Sequence, residues 1–532
     1  MRDLNHLWHD RPTRWLTIAA AVFLAAVPAR AQDRTQDSSD ERRCTGQLRA
    51  SVDDRITSCA ALINSGHYQP VNLAILHDNR GVVLRAKGDL TGARKDFDDA
   101  ISLNPSYARA FANRASLLLS QRDLDGAIAD LNQAIKLDAT DSGLFMSRGN
   151  AYDEKRDFDH AIADYNEAIR IAPNYGAAYF NRGLAFRRKG NIDSAIADYD
   201  QAIKLDPRNT SALNNRGIAW FAKGDYDRAI ADYNQALRID PNLVAAYSNR
   251  GDAYRAKGDF PRATADFDRA IKLSPQFALA FDNRGLVAYQ QQDYDRAIAD
   301  FTIALQLDPK NAQAFNNRGN AYADKGDGKS ALADYNQAVQ FDPNNAGIRY
   351  DRGIALRRSG DLDRAIADYD QAIKLNPTAT AYNNRGSAWD AKGDIDRAMA
   401  DLEQAIKLDP GLPDAYINRG NARREKLDFA AAIADYTQAL ALAPNAPLAY
   451  YNRAWAHYLS GEMPDALNDI NRAIALDDHS ASAFSTRGLI RERSGDTTGA
   501  ADDFRQALKL DPTFQQPAEA LQRLKAGPPK SQ

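Results

Sequence analysis

An arginine recurs every 34 residues along most of this 532-residue chain. It stands at Arg80, Arg114, Arg148, Arg182, Arg216, Arg250, Arg284, Arg318 and Arg352, and after one spacing of 33 at Arg385, Arg419, Arg453 and Arg487. These 13 copies constrain the fold more than any other feature. A unit this short cannot bury an apolar face alone, so successive units must stack and share a core. A length that would otherwise imply several globular domains then reads as one stacked body.

With the arginine set at position 7, Ala fills positions 20 and 27 in all 13 copies, and Gly or Ala fills position 8. In the copy that begins at Val244 these are Ala263, Ala270 and Gly251, with aromatics Tyr247 at position 4 and Phe267 at position 24. Apolar residues fall at helical spacing on both sides of Lys257-Gly258-Asp259, so each copy predicts two amphipathic helices joined by a tight turn. Small residues at facing positions let the helices approach, and the aromatics fill the remaining space. Pro275 and its equivalents end the second helix.

This pattern resembles the tetratricopeptide repeat, a 34-residue helix–turn–helix with spaced aromatic, Gly, Ala and Pro positions. The resemblance covers residues about 74 to 512. It implies an all-α fold: an α-solenoid, a right-handed superhelix of 13 units whose first helices line a concave face. An N-terminal capping segment over 44–73 and a C-terminal capping helix and tail over 513–532 are expected to cover its ends. One departure is consistent, since the family usually has Leu where this chain has the arginine.

That arginine has an internal partner. Position 23 is Asp in every copy, from Asp96 and Asp130 through Asp232, Asp266 and Asp300 to Asp503. In an antiparallel hairpin position 7 lies opposite positions 21 to 24. A ladder of ion pairs such as Arg216–Asp232, Arg250–Asp266 and Arg284–Asp300 is therefore predicted, with anionic ligands as the functional alternative.

Position 6 is Asn at Asn79, Asn113, Asn181, Asn215, Asn249, Asn283, Asn317, Asn384, Asn418 and Asn452. Asparagine is a poor helix-interior residue, so the recurrence asks for a reason. By resemblance to the repeat superhelix of O-linked GlcNAc transferases, this column faces the groove and holds the backbone of an extended peptide. An amide offers both a donor and an acceptor to a peptide group. The other reading is repeat inheritance with a local side-chain hydrogen bond. Specificity would come from variable positions nearby, such as Phe180, Arg187, Arg188, Phe221, Tyr289, Tyr350, Arg357, Arg358, Ile417, Tyr451 and Tyr458. Position 5 is never Lys or Arg, which does not support the carboxylate clamp of the family's chaperone-binding members. Arg423, His457 and Arg491 occupy position 11, usually apolar, and either loosen this end or offer a contact to a partner.

Residues 1 to 31 read as an export signal: a basic front with Arg2, Arg11 and Arg14, an apolar run from Trp15 to Val27, and Ala29-Arg30-Ala31 before a cleavage point. The run is shorter than the ~20 residues that span a bilayer, so an uncleaved anchor is the lesser reading. Cleavage removes four arginines and two aspartates and moves the formal charge from -3 to -5. Such a balance gives no general affinity for nucleic acid or anionic lipid. A polar lead-in over 32–43 reads as disordered. In an oxidising compartment, Cys44 and Cys59, the only cysteines, pair as a disulfide.

The sequence carries no metal-ligand spacing, no phosphate loop and no segment large enough for a catalytic domain outside the repeats. It predicts a non-enzymatic scaffold without metal or cofactor, exported to the periplasm or beyond, that binds extended peptide segments. The alternative is a component of an envelope or polysaccharide-export assembly, with self-association possible.

Overall fold

The computed structural model describes residues 36–526, and they hold 29 helices and no strand. The expected export signal and the last residues of the tail lie outside this range. Within it, each of the 13 repeats is a helix hairpin, as in Val244–Ala256 followed by Phe260–Leu273. Cα packing divides the chain after Pro275. The first unit holds the N-terminal cap and repeats 1 to 6, and the second holds repeats 7 to 13 and the last helix.

The turn inside each hairpin follows from two residues. Gly258 adopts φ 78°, a left-handed conformation that costs a residue with a side chain about 1 kcal/mol. Asp259 then caps the second helix by accepting from the Arg262 N–H. Repeats 2, 3, 7 and 11 lack the glycine and force Arg122, Arg156, Gln292 and Leu427 into the same conformation.

Inside the hairpin Ala263, Phe267 and Ala270 are fully buried. Ten of the eleven position-8 glycines admit a position-24 ring, and Gly386 admits Leu402: a Cβ on Gly217 would stand 2.5 Å from the Tyr233 ring. Where position 8 is Ala instead, at Ala115 and Ala454, position 24 is Leu131 and Ile470, and no ring competes for the space.

In both units each first helix touches the first helix of the next repeat, and no comparable contact joins successive second helices. The first helices therefore form the inner row of each stack. Between Leu375 and Ala379 the linker is one residue shorter, and Thr378 caps the next helix through its side chain.

Two expectations for the N-terminal end meet different outcomes. Cys44 and Cys59 are bonded, and the helix Val52–Asn64 opens on a capping box between Ser51 and Asp54. The lead-in, however, is helical from Gln36 to Cys44 where the sequence reads as disordered. Its own composition would not hold it. Asp40 accepts from Ser58 Oγ at 2.8 Å, Glu41 accepts from Tyr68 OH at 2.7 Å, and the disulfide fixes its last residue. At the other end Gln515–Ala526 lays Ala520, Leu521 and Leu524 on Ala500 and Phe504.

Candidate functional site

The arginine column is built from the middle of the first helices and the aspartate column from the middle of the second. All 13 pairs have one geometry. In repeat 5, Arg216 Nε donates to Asp232 Oδ2 at 2.9 Å and Nη2 donates to Oδ1 at 2.6 Å. Arg250–Asp266 and Arg284–Asp300 repeat this within 0.1 Å. In most of the pairs a third nitrogen reaches the preceding repeat, as Arg216 Nη1 does to Asp200 Oδ1 at 2.6 Å. Ten of these guanidiniums also lie over a position-4 ring, with Arg250 Cζ 5.5 Å from the centre of Tyr247. The fork thus ties ring, partner helix and neighbouring repeat into one register.

Electrostatics vary along this column. The hydrogen bond to Asp232 holds the Arg216 guanidinium firmly charged. Burial raises the Asp198, Asp232 and Asp266 carboxyls despite the pull of their single arginines. At Asp96 burial pushes the same way, but Arg80 and His77 bond it together and the carboxyl falls below its ordinary range. Arg423 and Arg491 play the part of His77 elsewhere: their Nη1 atoms stand 2.9 Å from Asp435 and 2.8 Å from Asp503. These polar replacements at position 11 are thus second cations on the ladder.

The asparagine column lies along the inner row, and its amides bridge repeats. Asn113 donates to Asp78, Asn249 to Asn214, Asn317 to Asp282 and Asn418 to Asn383, each at position 5 of the preceding repeat. Asn384 reaches Tyr350 OH and Asn181 reaches Asn150. Asn215 turns back to Ser211 O in its own helix. Asn79, Asn283, Asn317 and Asn452 are buried. The partner at position 5 was not foreseen, although the polar residues there are visible in the sequence. A second unforeseen link joins positions 24 and 9, where Tyr165, Tyr335 and Tyr436 donate to Asn150, Asn320 and Asn421.

Several variable residues are likewise engaged between neighbours. Arg188 pairs with Asp153, Tyr289 OH meets Asp324, and Arg493 lies 5.0 Å over the Tyr458 ring. Phe180 and Tyr350 pack on Tyr199 and Tyr369, Ile417 is buried, and Thr486 Oγ1 lies 3.4 Å from Tyr451 OH. Arg187 is buried, Arg357 is half-buried and Arg358 is exposed. In the first unit a shallow recess opens on the inner row between repeats 5 and 6, lined by Ile218, Phe221, Tyr233, Asn249 and Asp252. It combines an apolar floor with one amide and one carboxylate.

Comparison with known proteins agrees with this construction. A family model described as tetratricopeptide repeat matches residues 79–142, 180–244, 283–346, 350–413, 417–481 and 461–513. A second, described as TPR repeat, matches 149–190 and 251–292. Among solved structures, the APC/C hetero-tetramer Cut9-Hcn1 shares 16% identity over 92% of this chain and 96% of that chain, with a TM-score of 0.51. Yeast Tom70 shares 17% identity over 79% and 95% of the two chains, with a TM-score of 0.37. PilF of Pseudomonas aeruginosa shares 19% identity over 39% and 94%, with a TM-score of 0.36. No curated protein matches the chain. With more than half of its length covered by the family model, the chain belongs to the tetratricopeptide repeat family.

Proposed function

We propose that this protein is an exported scaffold of the cell envelope whose inner row of first helices binds an extended segment of a partner protein. The observation that carries the reading is the recess at repeats 5 and 6, where Asn249 stands beside Phe221 and Asp252. An amide has two donor hydrogens and an acceptor, so the bond from Asn249 to Asn214 leaves it capacity for a peptide group. The half-buried members Asn113, Asn181, Asn215, Asn249, Asn384 and Asn418 are the ones that act this way. Two buried members, Asn79 and Asn317, are engaged across repeats instead, with Arg109 and Asp282. Among the described residues no helix is long and apolar enough to cross a membrane, which fits a role in contact.

The test is capture from a peptide library by the purified protein, comparing wild type with Asn215→Ala/Asn249→Ala and with Phe221→Ala. Captured peptides should bind at least tenfold more weakly to both variants. Equal affinity for every captured peptide would sink the inner-row mechanism.

A further inference from the structure

Repeat 12 departs from its siblings at three positions together. Position 11 carries His457, where the other copies have an aromatic, an aliphatic residue, alanine or arginine. Position 16 carries Glu462, where every other copy has Asp or, once, Asn191. Position 19 carries Asp465, and no other copy has an acid there.

The hairpin brings these three residues to one point. His457 lies in the last turn of Pro447–Ser460, Gly461 turns the chain at φ 92°, and Glu462 opens the helix Met463–Leu476, with Asp465 in its first turn. One ligand atom from each residue lies within 4.8 Å of the other two. Glu462 Oε2 is 2.5 Å from His457 Nδ1. Glu462 has also given up the duty of its position. In the other 12 repeats the position-16 side chain accepts a backbone N–H and caps the second helix, as Asp225 and Asp496 do. Glu462 makes no such bond and turns toward the imidazole instead.

We propose that His457, Glu462 and Asp465 form a binding site for a first-row divalent metal ion such as zinc. One imidazole nitrogen and two carboxylate oxygens are a donor set that such ions accept. The imidazole is mostly covered while both acids are exposed, so water can complete the coordination. With Nδ1 toward the ion, Nε2 faces Asp469 Oδ2 at 3.8 Å, a carboxylate placed to orient the ring. Asp469 is itself held by both bonds of Arg453. A similar group in repeat 1 fails this comparison. There Asp96 takes two bonds from Arg80, and Lys95 Nζ stands 3.0 Å from Asp99, so cations already fill the site around His77. In repeat 12 the ion would clamp the two ends of the turn, replacing the missing cap.

The experiment is calorimetric titration of the full-length protein with zinc chloride, paired with its thermal melting curve. Wild type should bind through this site and melt several degrees higher with zinc. His457→Tyr and Asp465→Arg install residues that sibling repeats carry at these positions, Tyr254 and Arg296, so the hairpin is retained. Each should weaken zinc binding at least tenfold with an unchanged circular dichroism spectrum, and His77→Leu should leave binding as it is. Absence of zinc binding, wild-type affinity in both repeat-12 variants, or loss of binding in His77→Leu would overturn the site.

Discussion

Gly251 and Phe267 contend for one volume: a Cβ on the glycine would stand 2.8 Å from the ring. Because the ring is fully buried against its own hairpin, it has nowhere to withdraw. The tenfold recurrence of a position-8 glycine opposite an aromatic, and of Ala115 and Ala454 opposite Leu131 and Ile470, is one steric rule written along the chain.

Gly251→Ala should therefore destabilise repeat 6 by about 1–3 kcal/mol, the range for overpacking a filled core. Adding Phe267→Leu to Gly251→Ala should recover part of that loss, because Ala115 and Leu131 already coexist in repeat 2. Hydrogen exchange of Val244–Leu273 reads the effect locally, as stacked repeats open piecewise.

The Arg216–Asp232 fork predicts an asymmetry between single and double variants. Asp232→Ala leaves a guanidinium held between helices with Asp200 as its remaining acceptor, at a cost of about 3 kcal/mol, the low end for breaking a buried pair. Arg216→Met/Asp232→Leu removes both charges and should cost less than either single variant. Urea denaturation of the three variants checks the order.

Leu427 sits at φ 63° in the turn of repeat 11 and is 73% exposed. Leu427→Gly gives up little burial and relieves a left-handed side chain, so it should stabilise the repeat by roughly 0.5–1 kcal/mol. The reverse substitution, Gly258→Leu, should destabilise by a comparable amount. Melting temperatures of the two variants would shift in opposite directions.

Asp390 supplies a pH dependence. Burial, with the like charge of Glu425 adding to it, pushes its carboxyl up to about 6. A folded-state value above the unfolded one means that ionisation opposes folding. The penalty is absent below about pH 4, grows between pH 4 and 6, and is fully present above. Asp390→Asn should therefore stabilise the protein at pH 7 by about 1 kcal/mol, allowing for solvent screening, and have no such effect at pH 3.5. Equal effects at both pH values would contradict this.

Much of the fold was open to sequence reasoning because its determinants recur in register. Arg216 and Asp232 could be paired on paper since a hairpin fixes what faces position 7. The links between repeats were harder to read. The partner of Asn249 is Asn214, 35 residues away, and no rule for a single hairpin brings those two together. Arg423 read as a loosening of this end or a contact to a partner, because pairing within one hairpin matches Asp435 with Arg419 alone, whereas Arg423 stands beside the same carboxylate. The lead-in read as disordered because Gln36–Cys44 has no apolar stripe, and its helix rests on contacts with Ser58 and Tyr68. His457, Glu462 and Asp465 stood apart only when repeat 12 was compared with its siblings, since their spacing matches no ligand motif.

The termini of the stack are fastened by different means. At the front a covalent bridge between Cys44 and Cys59 staples the first helix to the second. At the back Gln515–Ala526 is held by a small apolar patch and by the exposed pair of Arg523 with Glu492. Heat should thus peel the protein from its carboxyl side, like a zip sewn shut at one end, and a reducing agent should let it open from both.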